Sequence, residues 1–376
     1  MDTIVNHRRI KWGYATHVLS DVPATSMDLD GRLGRLADPP NANDVIVAEV
    51  IEIGRHTKIE LPCKLPAKLF PGDLVGVAYG YRYATRRFEG TVPSGPEPCH
   101  MLTVAGVCGE VVGMPVDERP PTILRSLGFL LDSSGRRVNL QTHGLKLNGA
   151  PFARATTILV VGSAMDSGKT TAAYSVVHGL TRAGARVCAA KLTGTASAKD
   201  PLSMEDAGAL KVLDFTDIGH ASTARCSREQ LWNIVTVVRS QLAALRPDYI
   251  VFEVADGIVQ RETVMLLELF QAHHDVDYVM YACNDSLGVA AGVNRLRQHE
   301  FNVAAVSGWV GCSPLAAHEA QEQTDVPVLR PEDLREPGII RLFAKTNSES
   351  LAAEGDGVIL TFPTPLSQPD LATGST

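Results

Sequence analysis

The sequence predicts a two-part α/β protein: a doubly wound, mostly parallel sheet in the second half, preceded by a smaller β-rich, barrel-like part. Three observations carry this reading. The pattern changes near residue 145; strands and helices alternate after it; and a glycine-bearing loop, GSAMDSGKTT (162–171), sits between one strand and one helix. A chain of 376 residues has room for two such domains.

Residues 1–145 read as strands and turns. NDVIVAEVIEIG, TKIELPC, GDLVGVAYG and LTVAGVCGEVVG are short β-branched runs separated by Gly, Pro, Asn and Asp, the spacing of a small barrel or sandwich. DVPATSMDLDGRLGRLADPPNAN is a polar lead-in, PVDERPPTIL a proline-rich boundary, and VNLQTHGLKLNGAPFARA the connection to the second half. Residues 155–345 then alternate. TTILVVG, RVCAAKL, PDYIVFEVA, DYVMYACN and NVAAVSGWV are apolar strands. TTAAYSVVHGLTRAG, REQLWNIVTVVRSQLAAL, TVMLLELFQAH and GVAAGVNRLRQH are helices between them. Residues 355–376 are rich in Pro, Thr and Ser and predict a flexible tail.

Composition narrows the function. The chain is 45% hydrophobic and 20% charged with net charge -7, which offers no basic footprint for nucleic acid or an anionic membrane. Seven scattered cysteines without a CxxC pair predict reduced thiols and a cytoplasmic protein. No run approaches a transmembrane helix, and MDTIVNHRRIKWGY has no apolar core of a signal peptide. The expected partner is a small molecule.

The loop carries the chemistry. A strand, a Gly-Lys-Thr loop and a helix make a P-loop. Ser163, Ala164, Met165, Asp166, Ser167, Gly168, Lys169, Thr170 and Thr171 form the expected nucleotide cradle. Backbone N–H groups and the helix N-terminus face the phosphates; Lys169 reaches the β/γ-phosphates, and Thr170 offers its hydroxyl to Mg²⁺. Counted strictly, Ser163 occupies the first glycine position, because five residues separate Gly162 from Gly168. Glu253, ending the strand of PDYIVFEVADGI, is the expected Mg²⁺ carboxylate, with Asp256 as a second ligand or a substrate contact. The bland alternative is that both cap the next helix.

These residues resemble dethiobiotin synthetase and the related cobyrinic acid a,c-diamide synthase type of P-loop NTPase. Dethiobiotin synthetases carry GTDTEVGKT, with the same five-residue spacing. AAKLTGTA, SMEDAGAL and FEVADG match further segments in order, over roughly residues 155–330. The resemblance implies that Lys169, Thr170, Asp206 and Glu253 arrange MgATP. It implies that Lys191 and Thr195 sit at the transferring phosphoryl group and the substrate, and that Asp166 helps hold metal or substrate. It also implies a homodimer. GWVGCSP lacks the family's base-reading asparagine, so ATP and GTP both stay open; Asn284 in ACNDS reads the base instead, or caps a helix with Asp285. The first 150 residues have no counterpart in the simple synthetases, so biotin synthesis is not assigned.

The function expected is ATP- and Mg²⁺-dependent transfer of a γ-phosphoryl group to a carboxylate, carbamate or hydroxyl oxygen, as a kinase or a ligase. The rivals are a regulatory nucleotide switch and an acyl- or other transferase using the loop as a cradle for a coenzyme A phosphate. Two further segments stand out. DFTDIGHASTARCS (214–227) reads as a solvated loop, with a substrate loop as the alternative. YGYRYATRRFEG (79–90) reads as an exposed basic hairpin, with an anion or partner site as the alternative.

Overall fold

In the computed structural model, residues 4–5, 8–19, 33–34, 39–149 and 154–344 are described. Most of the polar lead-in, linker residues 150–153 and the 355–376 tail lie outside them.

The first half forms β1 (Ile4–Val5), β2 (Arg8–Trp12), β3 (Leu33–Gly34), β4 (Val45–Glu52), β5 (Lys58–Glu60), β6 (Pro66–Lys68), β7 (Leu74–Tyr79), β8 (Glu89–Thr91), β9 (Cys99–Met101), β10 (Val107–Gly113) and β11 (Thr122–Leu130). β7 pairs with both β4 and β10, and the chain of pairings β7–β4–β11–β9–β10 returns to β7. Five strands thus leave no free edge among themselves. Alternation decides what each face meets. Ile46, Ala48, Val50, Val75, Val77 and Tyr79 fill one apolar cluster with Met101, Leu124 and Phe129. Val45, Val47, Leu74 and Ala78, on the other face, join a second cluster with Ala196, Ala198 and Ala221 of the second half. Being covered on both sides, β4 and β7 are apolar at nearly every position, as doubly buried strands are.

The second half is a six-stranded parallel sheet in the order β14-β13-β15-β12-β16-β17. Its strands are β12 (Thr156–Gly162), β13 (Val187–Lys191), β14 (Val212–Asp214), β15 (Tyr249–Glu253), β16 (Tyr278–Ala282) and β17 (Val303–Ser307). The helices are α1 (Lys169–Arg182), α2 (Lys199–Asp206), α3 (Arg228–Ala243), α4 (Arg261–His273), α5 (Ser286–Gln298), α6 (Pro314–Gln321) and the short α7 (Pro331–Leu334). Leu159 and Val161 of β12 pack with α3, α4 and α5, while Ile158 and Val160 pack with α1. Helices therefore cover both faces. Each of these four fully buried side chains contributes about 1.5–3 kcal/mol by leaving water.

Both halves belong to one compact unit that extends to Phe343. The expectation of a solvated loop at 214–227 is overturned. Its first residue ends β14, and Asp214, Thr216, His220, Ser222 and Thr223 are buried. Thr216, Ser222 and Thr223 are satisfied by neighbours in the second half, while other groups of the segment meet polar groups of the first half. Tyr14 Oη donates to Asp214 Oδ2 at 3.2 Å, His17 Nε2 lies 3.1 Å from Asp217 Oδ1, and Ala221 N donates to Asn43 Oδ1 at 2.8 Å.

This junction titrates. Burial, then the neighbouring Asp217 charge, raises the Asp214 carboxyl above its ordinary value. Burial would lower His17, but the hydrogen bond and charge of Asp217 outweigh it and raise the imidazole. Both folded values are raised, so both contributions to stability are complete below the ordinary values and are lost as pH rises through the raised ones. Melting temperature is expected to fall from about pH 4 through pH 6, where Asp214 titrates, and to go on falling above the ordinary histidine value. Asp214→Asn, which keeps the acceptor for Thr216, is expected to flatten that slope and to melt about 2–4 °C higher at the alkaline end. An unchanged slope in differential scanning fluorimetry would contradict this account of the junction.

Candidate active site

The loop leaves the central strand β12 and enters α1. The extra residue in its spacing has a packing reason. Gly162 still belongs to β12, and a Cβ there would lie 2.2 Å from Ser167 Oγ and 2.8 Å from Lys169 Cγ. The turn proper begins at Ser163. Ser163 is not among the residues with positive φ, whereas Asp166 (φ 61°) and Gly168 (φ 93°) are, so a serine fits where the strict pattern has glycine. Gly168 caps α1 without a side-chain hydrogen bond. The first N–H groups of that helix therefore keep their capacity for an anion.

Sheet register places the charged groups. Lys191 is the Cα partner of Glu253 on one side and of Asp214 on the other. All three stand at the carboxyl ends of parallel strands, the edge where open α/β sheets bind ligands. Thr170 Oγ1 donates to Glu253 Oε1 at 2.7 Å. Lys191 Nζ lies 3.5 Å from the same oxygen and also pairs with Asp200 in the first turn of α2. Glu253 Oε2 is buried and has no hydrogen-bond partner among the described residues. Such an acid oxygen is costly to bury unless something binds it.

The lysines differ in state. Lys169 is buried, and its Nζ donates to the carbonyl of Ala164 at 2.7 Å. Burial pulls its pKa down to about 8, although the Glu253 charge opposes this. For Lys191, burial is outweighed by Asp200 and then Glu253, and its pKa rises. Asp256, with a left-handed backbone (φ 62°), is raised by burial against the pull of Lys169 and Lys191.

A cavity of about 1450 Å³ brings most of the expected residues together. Met165, Asp166, Ser167, Gly168, Lys169, Thr170, Thr171, Lys191, Thr195, Asp206, Glu253, Asp256 and Asn284 all line it. Ser163 and Ala164 lie in the same turn without lining it. Asp206 is exposed at the end of α2 and makes no hydrogen bond with Thr170 or Glu253. Asp285 caps α5 by accepting from Gly288 N at 2.7 Å, while Asn284 Oδ1 is buried and has no partner among the described residues. The two neighbours thus divide the cap and the cavity between them.

Some contributors were not foreseen. Asp200 is the ion-pair partner of Lys191, and only its place nine residues on in sequence hinted at it. GWVGCSP, which lacks the base-reading asparagine, backs the loop. Trp309 Nε1 donates to the Asp166 carbonyl at 2.7 Å, and Gly308 packs against Gly168. The basic hairpin of 79–90 also reaches the cavity through Arg82, Tyr83, Arg86 and Arg87, while Tyr79 is core and Tyr81 stacks under Arg225. Among the described residues, no group of three or more His, Cys, Asp or Glu is arranged to hold a metal, and no helix is long and apolar enough to cross a membrane.

No model of a known protein family and no curated protein matches the chain. Among solved structures it is similar to the signal recognition particle receptor FtsY from Elizabethkingia anophelis in complex with GDP, at a TM-score of 0.35 and 14% identity over 55% of this chain and 69% of that one. It is similar to the 54 kDa signal recognition particle protein from Aeropyrum pernix K1 in complex with GDP, at 0.34 and 18% over 52% and 47%. A nucleotide-binding protein from Archaeoglobus fulgidus in complex with ADP gives 0.34 and 11% over 50% and 92%.

Proposed function

We propose that this chain is an ATP- or GTP-dependent, Mg²⁺-requiring enzyme that transfers the γ-phosphoryl group to an oxygen of a small molecule. The product is released, as by a kinase, or captured by a nitrogen nucleophile, as by a dethiobiotin synthetase-like ligase. The observation that carries the reading is the meeting of Lys169, Thr170 and Glu253 at one loop whose helix has an uncapped N-terminus.

The residues present fit Mg²⁺. The donor set is a hydroxyl and a carboxylate, the hard oxygens this ion prefers, and the second carboxylate oxygen is buried without a partner. When bound, Mg²⁺ would supply charge neutralisation at the phosphates. The chain's own residues do the rest. Backbone N–H groups at the start of α1 orient the phosphates. Lys169 exchanges the Ala164 carbonyl for a phosphate oxygen, a stronger, charge-assisted partner. Lys191, kept protonated by Asp200 and Glu253, stands at the strand end where negative charge builds during transfer.

Glu253→Gln tests the reading. It preserves shape and removes the charge. The affinity for nucleotide in the presence of Mg²⁺ is expected to fall by about 10–100-fold and to become insensitive to Mg²⁺. Wild-type affinity that responds equally to Mg²⁺ in the variant would overturn the metal assignment.

A further inference from the structure

The phosphate chemistry leaves one wall of the cavity unused. The first half contributes Arg82, Arg86 and Arg87 to it and no carboxylate, whereas every acid lining the cavity comes from the second half. The three arginines are not equivalent. Arg87 faces Glu118 at 3.6 Å. Arg82 is largely enclosed; its guanidinium lies over the Phe88 ring and donates to the Leu102 carbonyl, which leaves most of its five N–H groups to spare. Arg86 is exposed, and its side chain has no partner among the described residues. A planar guanidinium fork is shaped for a carboxylate.

The second half accommodates the same occupant. Of the acids near Lys169 and Lys191, Glu253 is held by Thr170 and Lys191 and Asp200 by Lys191, which leaves Asp256 as the base a hydroxyl acceptor would need. A carboxylate is nucleophilic at neutral pH without one.

We propose that the 79–90 hairpin is the acceptor-binding element, and that Arg86, with Arg82 behind it, binds the carboxylate of a small-molecule second substrate. The word acceptor rests on the nucleotide reading above; the carboxylate site itself does not.

The test is calorimetric titration of the full chain with succinate, glutarate, citrate, glutamate and benzoate. Inorganic phosphate and the uncharged succinamide serve as comparators, and MgADP is titrated separately. At least one carboxylate is expected to bind and succinamide not to. Arg86→Ala is expected to weaken that carboxylate by about tenfold or more, and Arg86→Lys to recover only part of the loss. MgADP affinity is expected to change by less than about twofold. Arg86 is exposed, so the variants are expected to melt with the wild type. The proposal is overturned if no carboxylate binds while MgADP does, if phosphate binds in their place, or if Arg86→Ala weakens MgADP as much as the carboxylate. Arg86-dependent carboxylate binding without any MgADP binding would uphold this site and sink the nucleotide reading instead.

Discussion

Lys169→Ala is expected to lower nucleotide-dependent turnover by about 10²–10³-fold, the usual effect of removing one preorganised charge from a transition state. The fold should survive. Among the described residues the buried ammonium donates to the Ala164 carbonyl and, at 3.5 Å, to Ser167 Oγ, and to no carboxylate, so the variant loses a desolvated cation, one good hydrogen bond and one long one. Its melting temperature is expected to stay near that of the wild type. A second consequence concerns protons. Burial holds Lys169 at about 8, and a bound phosphate would raise it again. Above that pH the lysine of the free protein is largely neutral, so nucleotide binding should take up a proton. Calorimetry in buffers of different ionisation enthalpy should detect this uptake in the wild type and lose it in Lys169→Ala. Binding without proton uptake in the wild type would mean that Lys169 does not meet the phosphates.

Gly308→Ala should damage the fold and the loop together. Gly308 adopts φ 95° and ψ −157°, a region open in practice only to glycine, at a cost of about 1–3 kcal/mol for other residues. A Cβ would also stand 2.3 Å from the Ser167 carbonyl and 2.8 Å from the backbone of Cys283, adding about 1–3 kcal/mol of overpacking. A melting temperature lower by about 10 °C follows for a domain of this size. Because the clash falls on Ser167, the loop must shift, and nucleotide affinity should drop even at temperatures where the variant is folded. A variant with wild-type melting and wild-type nucleotide affinity would show that this contact does not set the loop.

Local patterns in the sequence already carried the second sheet. β12, β13, β15, β16 and β17 fall on its apolar runs, and Lys191 and Glu253 are placed by the ends of those runs. What escaped was short or non-local. β14 has three residues, Val212–Asp214, too few to show a period. β11 begins directly after two prolines, so the boundary at PVDERPPTIL concealed a strand that pairs with β3, β4 and β9. The 214–227 segment looked solvated because its residues are polar. They are buried by Tyr14, His17 and Asn43, about two hundred residues earlier in the chain, and no local window contains both sides of that contact. The basic hairpin is exposed at Arg86 and Arg87, as its composition suggests, but that it lines a cavity with the loop of the second half is equally non-local.

The most direct test of the central claim is release of nucleoside diphosphate from ATP or GTP with Mg²⁺, over pools of small acids, amines and bicarbonate, with Lys169→Ala alongside. The account predicts release that depends on one pool, most of all on the acids, and that vanishes in the variant. Release indifferent to every pool, or equal in Lys169→Ala, would contradict it.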